Sequence, residues 1–130
     1  MNKCCICGNE FDEHGNNPAP IKTKGICCNK CNERIVIPTR AFVIGRGYAL
    51  WVREKGCELI KPKGITFTLK ELQSAVGGLI EYAPTIMENN YIIVNEEGLV
   101  KNLYKNTYGK KLTGVEYRGD ILICPKELVE

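Results

Sequence analysis

Cysteines are the feature that most restricts how this chain can fold. Eight occur in 130 residues, and they include two Cys-x2-Cys pairs separated by twenty residues. The x2 spacing lets two sulfur atoms of one tight turn reach the same ion, and two such turns supply the four ligands that tetrahedral Zn²⁺ takes in structural sites. The pattern therefore predicts one structural Zn²⁺, bound by Cys4, Cys7, Cys28 and Cys31.

The remaining cysteines and the one histidine leave alternatives open. Cys5 and Cys27 each adjoin a predicted ligand, so either could replace its neighbour. His14 lies in a polar loop and is expected to be solvated. Cys57 and Cys124 lie in apolar segments, where a free cysteine behaves as a small buried hydrophobe.

Other cysteine chemistries fit the pattern less well. A disulfide framework needs an oxidising compartment, whereas residues 1–5 lack the apolar segment of a signal peptide. A redox Cys-x-x-Cys motif needs a βαβ setting, which the flanking sequence does not predict. We therefore expect a metal site in a cytoplasmic protein.

The sequence predicts two units, a zinc ribbon or knuckle over residues 1–40 and an α+β domain over residues 41–130. Residues 1–40 contain few large apolar side chains, so zinc binding would supply their folding energy. A short helical turn is expected from Cys28 and should end before Pro38, because the residue before a proline disfavours the helical conformation.

The second unit is expected to contain a mostly antiparallel sheet and one or two helices. A helix over 68–76 is indicated by Thr68 and Glu71, which form a capping-box pattern. A second short helix is expected within 98–106. The predicted strands are 48–53, 57–61, 80–82, 91–94, 115–118 and 121–124, and the last two are expected to form a hairpin across Gly119 and Asp120.

Charge and hydropathy limit the classes of partner. The formal net charge is +3, and four thiolates with one Zn²⁺ would contribute −4 + 2 = −2, which leaves the folded protein near +1. Bulk attraction to nucleic acid is therefore not expected. No apolar run approaches the roughly 18 residues of a membrane span, so no membrane partner is expected.

Anion binding, if present, must then be local, and one segment favours it. Residues 101–111 contain four lysines, two tyrosines and no acidic residue. Lysines can contact phosphates, and tyrosines can stack on bases. The predicted ligand-binding residues are Lys101, Tyr104, Lys105, Tyr108, Lys110 and Lys111, with Arg46 and Arg53. The alternative is that these residues form solvated loop and strand surfaces.

An enzyme is not predicted. The chain has one histidine, one serine and two aspartates. A Ser-His-Asp set would therefore need Ser74, on a predicted helix, to meet His14 in the polar loop between the two cysteine pairs. Glu96 and Glu97 are expected to be turn residues and not a catalytic pair of carboxylates.

Several motifs resemble a small domain of unknown function that is common in bacteriophages, plasmids and gut bacteria. They are residues 72–81 (LQSAVGGLIE), 94–99 (VNEEGL), Asn102 and 119–123 (GDILI). The cysteine-rich start is similar to a zinc-binding leader of phage proteins. Residues 101–111 depart from the family pattern, which has aliphatic and proline residues around the asparagine. The resemblance implies no settled activity.

Three hypotheses follow. The first is a non-enzymatic phage-type accessory protein in the bacterial host cytoplasm that binds a nucleotide-like anion and could sequester a host immune signal; a pocket shared within a homo-oligomer would favour it. The second is a zinc-ribbon protein that binds nucleic acid, which a basic stripe running onto the ribbon would favour. The third is an adaptor that inhibits a host protein, which an exposed apolar patch from Tyr82 to Met87 would favour.

Overall fold

A computed structural model describes residues 1–84 and 89–129 of the chain. The strands are β1 (Asn2–Lys3), β2 (Glu10–Phe11), β3 (Ala49–Arg53), β4 (Gly56–Ile60), β5 (Ile80–Ala83), β6 (Asn90–Asn95) and β7 (Ile121–Pro125). The helices are α1 (residues 29–44), α2 (Leu69–Val76) and α3 (Thr107–Thr113), and a 3-10 turn at Lys126–Leu128 follows β7. The predicted α+β class is confirmed.

Helix α1 continues through Pro38, so the predicted end of the helix before this residue is wrong. Its segments are Asn29–Cys31, a π-helical turn at Asn32–Val36, and Ile37–Ile44. A proline inside a helix removes one backbone hydrogen bond and clashes with the carbonyl four residues earlier. The wider π-helical turn lies just before Pro38, where it relieves this clash, and Ile37 keeps helical dihedral angles of −61° and −50°.

The elements with strong local signals are confirmed. β3 and β4 form the predicted hairpin, with Arg53 opposite Gly56 at its tip. Thr68 caps α2: its hydroxyl accepts a hydrogen bond from the backbone N–H of Glu71, and the Glu71 carboxylate accepts one from the N–H of Thr68. The helix ends at Gly77, whose φ of 80° favours glycine.

The predicted hairpin of 115–118 with 121–124 is wrong. β7 pairs with β3 on one side and β6 on the other. The segment before it pairs with residues 104–106 instead, through hydrogen bonds from Asn106 N–H to the Tyr117 carbonyl and from Gly119 N–H to the Tyr104 carbonyl. The second short helix is also misplaced, because Asn106 is the N-cap of α3 and the helix follows it.

The main sheet has the strand order β4-β3-β7-β6-β5, and each neighbouring pair is antiparallel. β7 is central, and both of its faces are buried, which explains its uninterrupted apolar run. β1 and β2 form a separate two-stranded sheet.

The two faces of the main sheet carry different cores. On one face, Leu50, Val52 and Ile123 pack with Ile35 and Val36 of α1 and with the cysteine-rich segment. On the other face, Leu72 and Val76 of α2 pack on Trp51, Ile93 and Leu122. The division of the chain into residues 1–40 and 41–130 stays a prediction, which zinc removal can test.

Within the described ranges 1–84 and 89–129, no helix is long and apolar enough to cross a membrane. Tyr82 is partly exposed and lies against the ring of Tyr91, with 4.9 Å between ring centroids. The expected apolar patch from Tyr82 to Met87 falls partly on residues 85–88, outside the described residues.

Candidate metal centre and anion-binding groove

The two Cys-x2-Cys turns bring four sulfur atoms together. The Sγ atoms of Cys4, Cys7, Cys28 and Cys31 all lie within 4.8 Å of one another. A tetrahedron with Zn–S bonds of about 2.3 Å has S···S edges of about 3.8 Å, and the Cys7 and Cys28 sulfur atoms are 4.0 Å apart. The arrangement is compatible with a zinc site. Within residues 1–84 and 89–129, Cys5 and Cys27 lie outside this group.

Backbone amides favour a thiolate at Cys4. Burial by itself would raise the pKa of this thiol, but N–H groups of Cys7, Cys28 and Ile6 donate to its sulfur and lower the pKa to about 6. These three N–H···S contacts are each 3.4 Å long. A thiolate is the form of cysteine that binds metal. The N–H groups of the two turns therefore stabilise the form of Cys4 that a metal ion would bind.

The other sulfur and imidazole groups do not join the cluster. Cys57 and Cys124 are buried, as expected, and burial raises the pKa of each thiol to about 12. His14 is exposed in the loop between the cysteine turns. Buried neutral thiols of this kind are unreactive packing residues.

Cationic side chains from two parts of the chain meet beside the cysteine cluster. A cavity of about 240 Å³ has cationic lining residues from residues 1–40 (Lys30 and Arg34) and from α3 (Lys111), and its lining also includes Cys7, Tyr108 and one acidic residue, Glu54. With zinc bound, four thiolates and one ion carry a net charge of −2, which these cations would offset. The structure thus places two of the predicted ligand-binding residues next to the metal centre.

The remaining predicted ligand-binding residues do not surround one cavity. Lys101 pairs with Glu97 at 3.4 Å, and Lys105 approaches Glu116 at 4.0 Å. Lys110 is exposed in the last turn of α3, and Arg46 lines a cavity of about 320 Å³ at the end of α1. Acidic residues just outside residues 101–111 thus partner lysines that have no acidic neighbour within that segment.

Arg53 and Tyr104 meet at Asp120. The Tyr104 hydroxyl donates a hydrogen bond to the Asp120 carboxylate, whose other oxygen lies 3.8 Å from the Arg53 guanidinium. Burial, together with this hydrogen bond, raises the pKa of Tyr104 above its usual range. Both residues line a cavity of about 560 Å³ that also contains Glu33, Glu54 and Glu58. This mixed charge does not favour an anion.

A different cavity, which the sequence did not predict as a site, combines an aromatic floor with lysines. We name it the Trp51 groove: its floor is Trp51, Ile60, Phe67 and Ala75, and its rim carries Lys61, Lys63 and Lys70. The groove has a volume of about 550 Å³. It lies between the β3–β4 hairpin and α2, so its residues come from three elements and from the loop that joins β4 to α2.

The floor of the groove is held by a hydrogen bond. The indole N–H of Trp51 donates to the Ala75 carbonyl at 2.9 Å, which ties β3 to α2. The Arg53 guanidinium lies over the Trp51 ring, 4.2 Å from its centroid. The indole therefore presents aromatic surface to the groove while its polar N–H is already bonded.

The acidic residue that lines the groove, Glu71, is hydrogen-bonded to backbone N–H groups. The Glu71 carboxylate accepts hydrogen bonds from the N–H groups of Thr68 at 3.0 Å and Lys63 at 3.2 Å. These bonds lower the pKa of Glu71, so it stays ionised. In the described part of the chain, none of the three rim lysines forms an ion pair within 4.0 Å.

Comparison with protein-family models assigns the chain to a family. Residues 48–127 match the model of a domain of unknown function, DUF3846. This match covers more than half of the 130 residues, and the chain belongs to this family. The matched segment contains the whole Trp51 groove, whereas the four clustered cysteines precede it. No curated protein and no solved structure matches the chain.

Proposed function

We propose that this protein is a non-enzymatic binding protein for a nucleotide-like anionic ligand, with a structural Zn²⁺ on its four clustered cysteines. The observation that carries the proposal is the Trp51 groove, whose lining combines an aromatic side chain with three lysines that form no ion pair within 4.0 Å among the described residues. Its volume of about 550 Å³ falls within the range of about 300–1,000 Å³ that is typical of small-molecule sites.

The local charge supports an anionic ligand. Lys61, Lys63 and Lys70 contribute +3 and Glu71 contributes −1, which gives +2 at the groove, while the whole chain carries only +3. The charge of Lys63 contributes to lowering the pKa of Glu71, but none of the three lysines forms an ion pair within 4.0 Å among the described residues. The ammonium groups therefore remain free for phosphate oxygens, which lysine binds as a point charge.

The floor supports an aromatic ligand group. Base–aromatic stacking contributes about 1–3 kcal/mol for each base. Trp51 is partly exposed and supplies the aromatic surface at the groove, whereas Phe67 is 3% exposed, and the hydrogen bond to Ala75 keeps the indole in place. A nucleotide matches both halves of this surface, since it joins an aromatic base to phosphate.

We also propose that the biological role is that of a phage-type accessory protein in the bacterial host cytoplasm. A protein that binds a nucleotide without converting it acts by sequestration, and a nucleotide that signals in host immunity is the ligand whose removal would benefit a phage. The support is the resemblance of residues 72–81, 94–99 and 119–123 to a small domain that is common in bacteriophages, plasmids and gut bacteria.

Calorimetry tests the proposal. The zinc-loaded, full-length protein is titrated at low salt with a cyclic dinucleotide, ADP-ribose and a short single strand. We expect at least one small nucleotide to bind, and Lys63→Ala to weaken that binding. Lys105→Ala is the matched control, because Lys105 lies outside the groove and is exposed. Analysis of the nucleotide after incubation should return it unchanged.

Three results would contradict this account. Binding that weakens in Lys105→Ala and Tyr104→Ala but not in Lys63→Ala would move the site to the 101–111 segment. Absence of binding to any of these ligands would reject anion binding altogether and favour an adaptor that inhibits a host protein. Conversion of the nucleotide would show an enzyme.

Nucleic-acid binding is the second candidate, and the cavity beside the cysteine cluster supports it. Lys30 and Arg34, from residues 1–40, line this cavity together with Lys111 of α3. Basic residues therefore continue from the matched domain, residues 48–127, onto the residues that carry the clustered cysteines. Binding of long strands without binding of small nucleotides, with a strong salt dependence that Lys111→Ala reduces, would favour this candidate over the first.

A further inference from the structure

Three kinds of polar side chain line the Trp51 groove, and one of them, the Glu71 carboxylate, already accepts hydrogen bonds from two backbone N–H groups. Its charged donors are the ammonium groups of Lys61, Lys63 and Lys70, and each is a compact cation on a flexible stem. Its uncharged polar side chains are the hydroxyls of Thr66, Thr68 and Ser74. Among the described residues that line the groove, there is no Asn, Gln, Asp or Arg.

This set of side chains is poorly suited to distinguishing one base from another. Asn, Gln and Arg read a base by pairing with two of its edge atoms in a fixed planar geometry, and none of them is among the described lining residues. Lysine binds as a flexible point charge, and serine and threonine hydroxyls accept either pattern because they both donate and accept. The indole N–H of Trp51 is already bonded to the Ala75 carbonyl and offers no further contact. Stacking on the ring is equally tolerant, since every base has a π-face.

The lysines of the groove attract phosphate strongly. Each added phosphate brings negative charge within reach of the rim lysines, and flexible lysines bind it as point charges without a fixed geometry. The carboxylate of Glu71, which would repel phosphate, is held at the start of α2 by the N–H groups of Thr68 and Lys63.

We infer that the Trp51 groove selects its ligand by the number of phosphates and not by the base, so its ligand class is nucleoside polyphosphates of any base. The inference rests on the proposed function and specifies the ligand of the same site. It predicts that the phosphates determine affinity while the base adds a stacking contribution that is common to all nucleotides.

A calorimetric series tests this inference on the zinc-loaded, full-length protein in magnesium-free, low-salt buffer. The ligands are adenosine, AMP, ADP and ATP, then GTP and CTP, and finally inorganic tripolyphosphate. We expect no measurable binding of adenosine and an affinity that rises about fivefold with each phosphate. ATP, GTP and CTP should agree within about threefold, because stacking is tolerant of base identity. Tripolyphosphate, which cannot stack, should bind about tenfold more weakly than ATP.

Variants locate the effect in the groove. Lys63→Ala and Lys70→Ala should each flatten the dependence on phosphate number, whereas Lys110→Ala, an exposed lysine of α3, should leave it unchanged. A tenfold difference between ATP and CTP, or equal affinity for AMP and ATP, would overturn the inference while leaving nucleotide binding intact. If tripolyphosphate binds as tightly as ATP, the base contributes nothing, and the inference that a nucleotide occupies the groove would be rejected. Absence of binding to every member of the series would reject the proposed function itself.

Discussion

The side-chain amide of Asn106 donates a hydrogen bond of 3.0 Å to the backbone carbonyl of Val52, 54 residues earlier in the chain. The same amide donates to the Gly119 carbonyl at 2.8 Å, and its oxygen accepts from the N–H of Gly109 at 2.8 Å. Asn106 is 1% exposed. One buried residue therefore caps α3 and joins it to β3 and to the segment before β7.

Replacement of Asn106 should destabilise the fold. Asn106→Ala leaves three buried backbone groups without their partner and removes the cap of α3, so we expect a loss of about 3 kcal/mol in the free energy of unfolding. Urea denaturation measures it. The matched control is Asn2→Ala, whose exposed amide donates to the Glu13 carbonyl and to no other described residue, and whose loss should cost less than about 0.5 kcal/mol. Equal effects of the two substitutions would show that the buried network contributes nothing.

Zinc content should depend on four particular cysteines. Elemental analysis of the purified protein should find about one Zn²⁺ per chain, because the four clustered sulfurs lie close enough together to bind one ion and structural zinc takes four ligands. Cys31→Ala should lose the metal, whereas Cys5→Ala should keep it, since Cys5 is half-buried and lies outside the cluster. Full zinc occupancy in Cys31→Ala, or equal loss in both variants, would contradict the assignment.

Removal of zinc should affect the two faces of the sheet differently. The core around α2 consists of residues from Ala49 onward, so it does not depend on the cysteine-rich segment, whereas the opposite core includes Cys4, Cys31 and Ile6. After chelation we expect amide protection to fall within residues 1–40 while most of the strand signal in circular dichroism persists. Collapse of the strand signal together with that protection would show that residues 1–40 and 41–130 form a single folding unit.

Local signals explain which elements could be predicted from the sequence. The capping box of Thr68 and Glu71 and the tight turn between β3 and β4 are encoded within a few residues, and the structure confirms both. The partners of β7 are distant strands, so its apolar run gave no indication that β3 and β6 flank it. The π-helical turn that accommodates Pro38 likewise depends on the packing of Ile35 and Val36 against the sheet.

The same distinction between local signals and long-range packing applies to the cysteine cluster and the Trp51 groove. The four clustered cysteines were predictable because metal geometry imposes a short spacing on each pair. The Trp51 groove was not, because its lysines come from the end of β4, the following loop and α2, and only the packing of α2 on Trp51 brings them together. The lysine-rich segment 101–111 looked unpaired because its partners Glu97 and Glu116 lie outside it.

Fluorescence of Trp51 offers the most direct test of ligand binding in the groove, because the chain contains a single tryptophan and that residue forms the floor. Titration of the zinc-loaded protein with ATP should quench or shift its emission, with a midpoint that agrees with calorimetry. The midpoint should move to higher ATP concentration in Lys63→Ala and stay unchanged in Lys110→Ala. ATP binding that calorimetry detects without any change in Trp51 emission would contradict the account, because the ligand would then occupy another site.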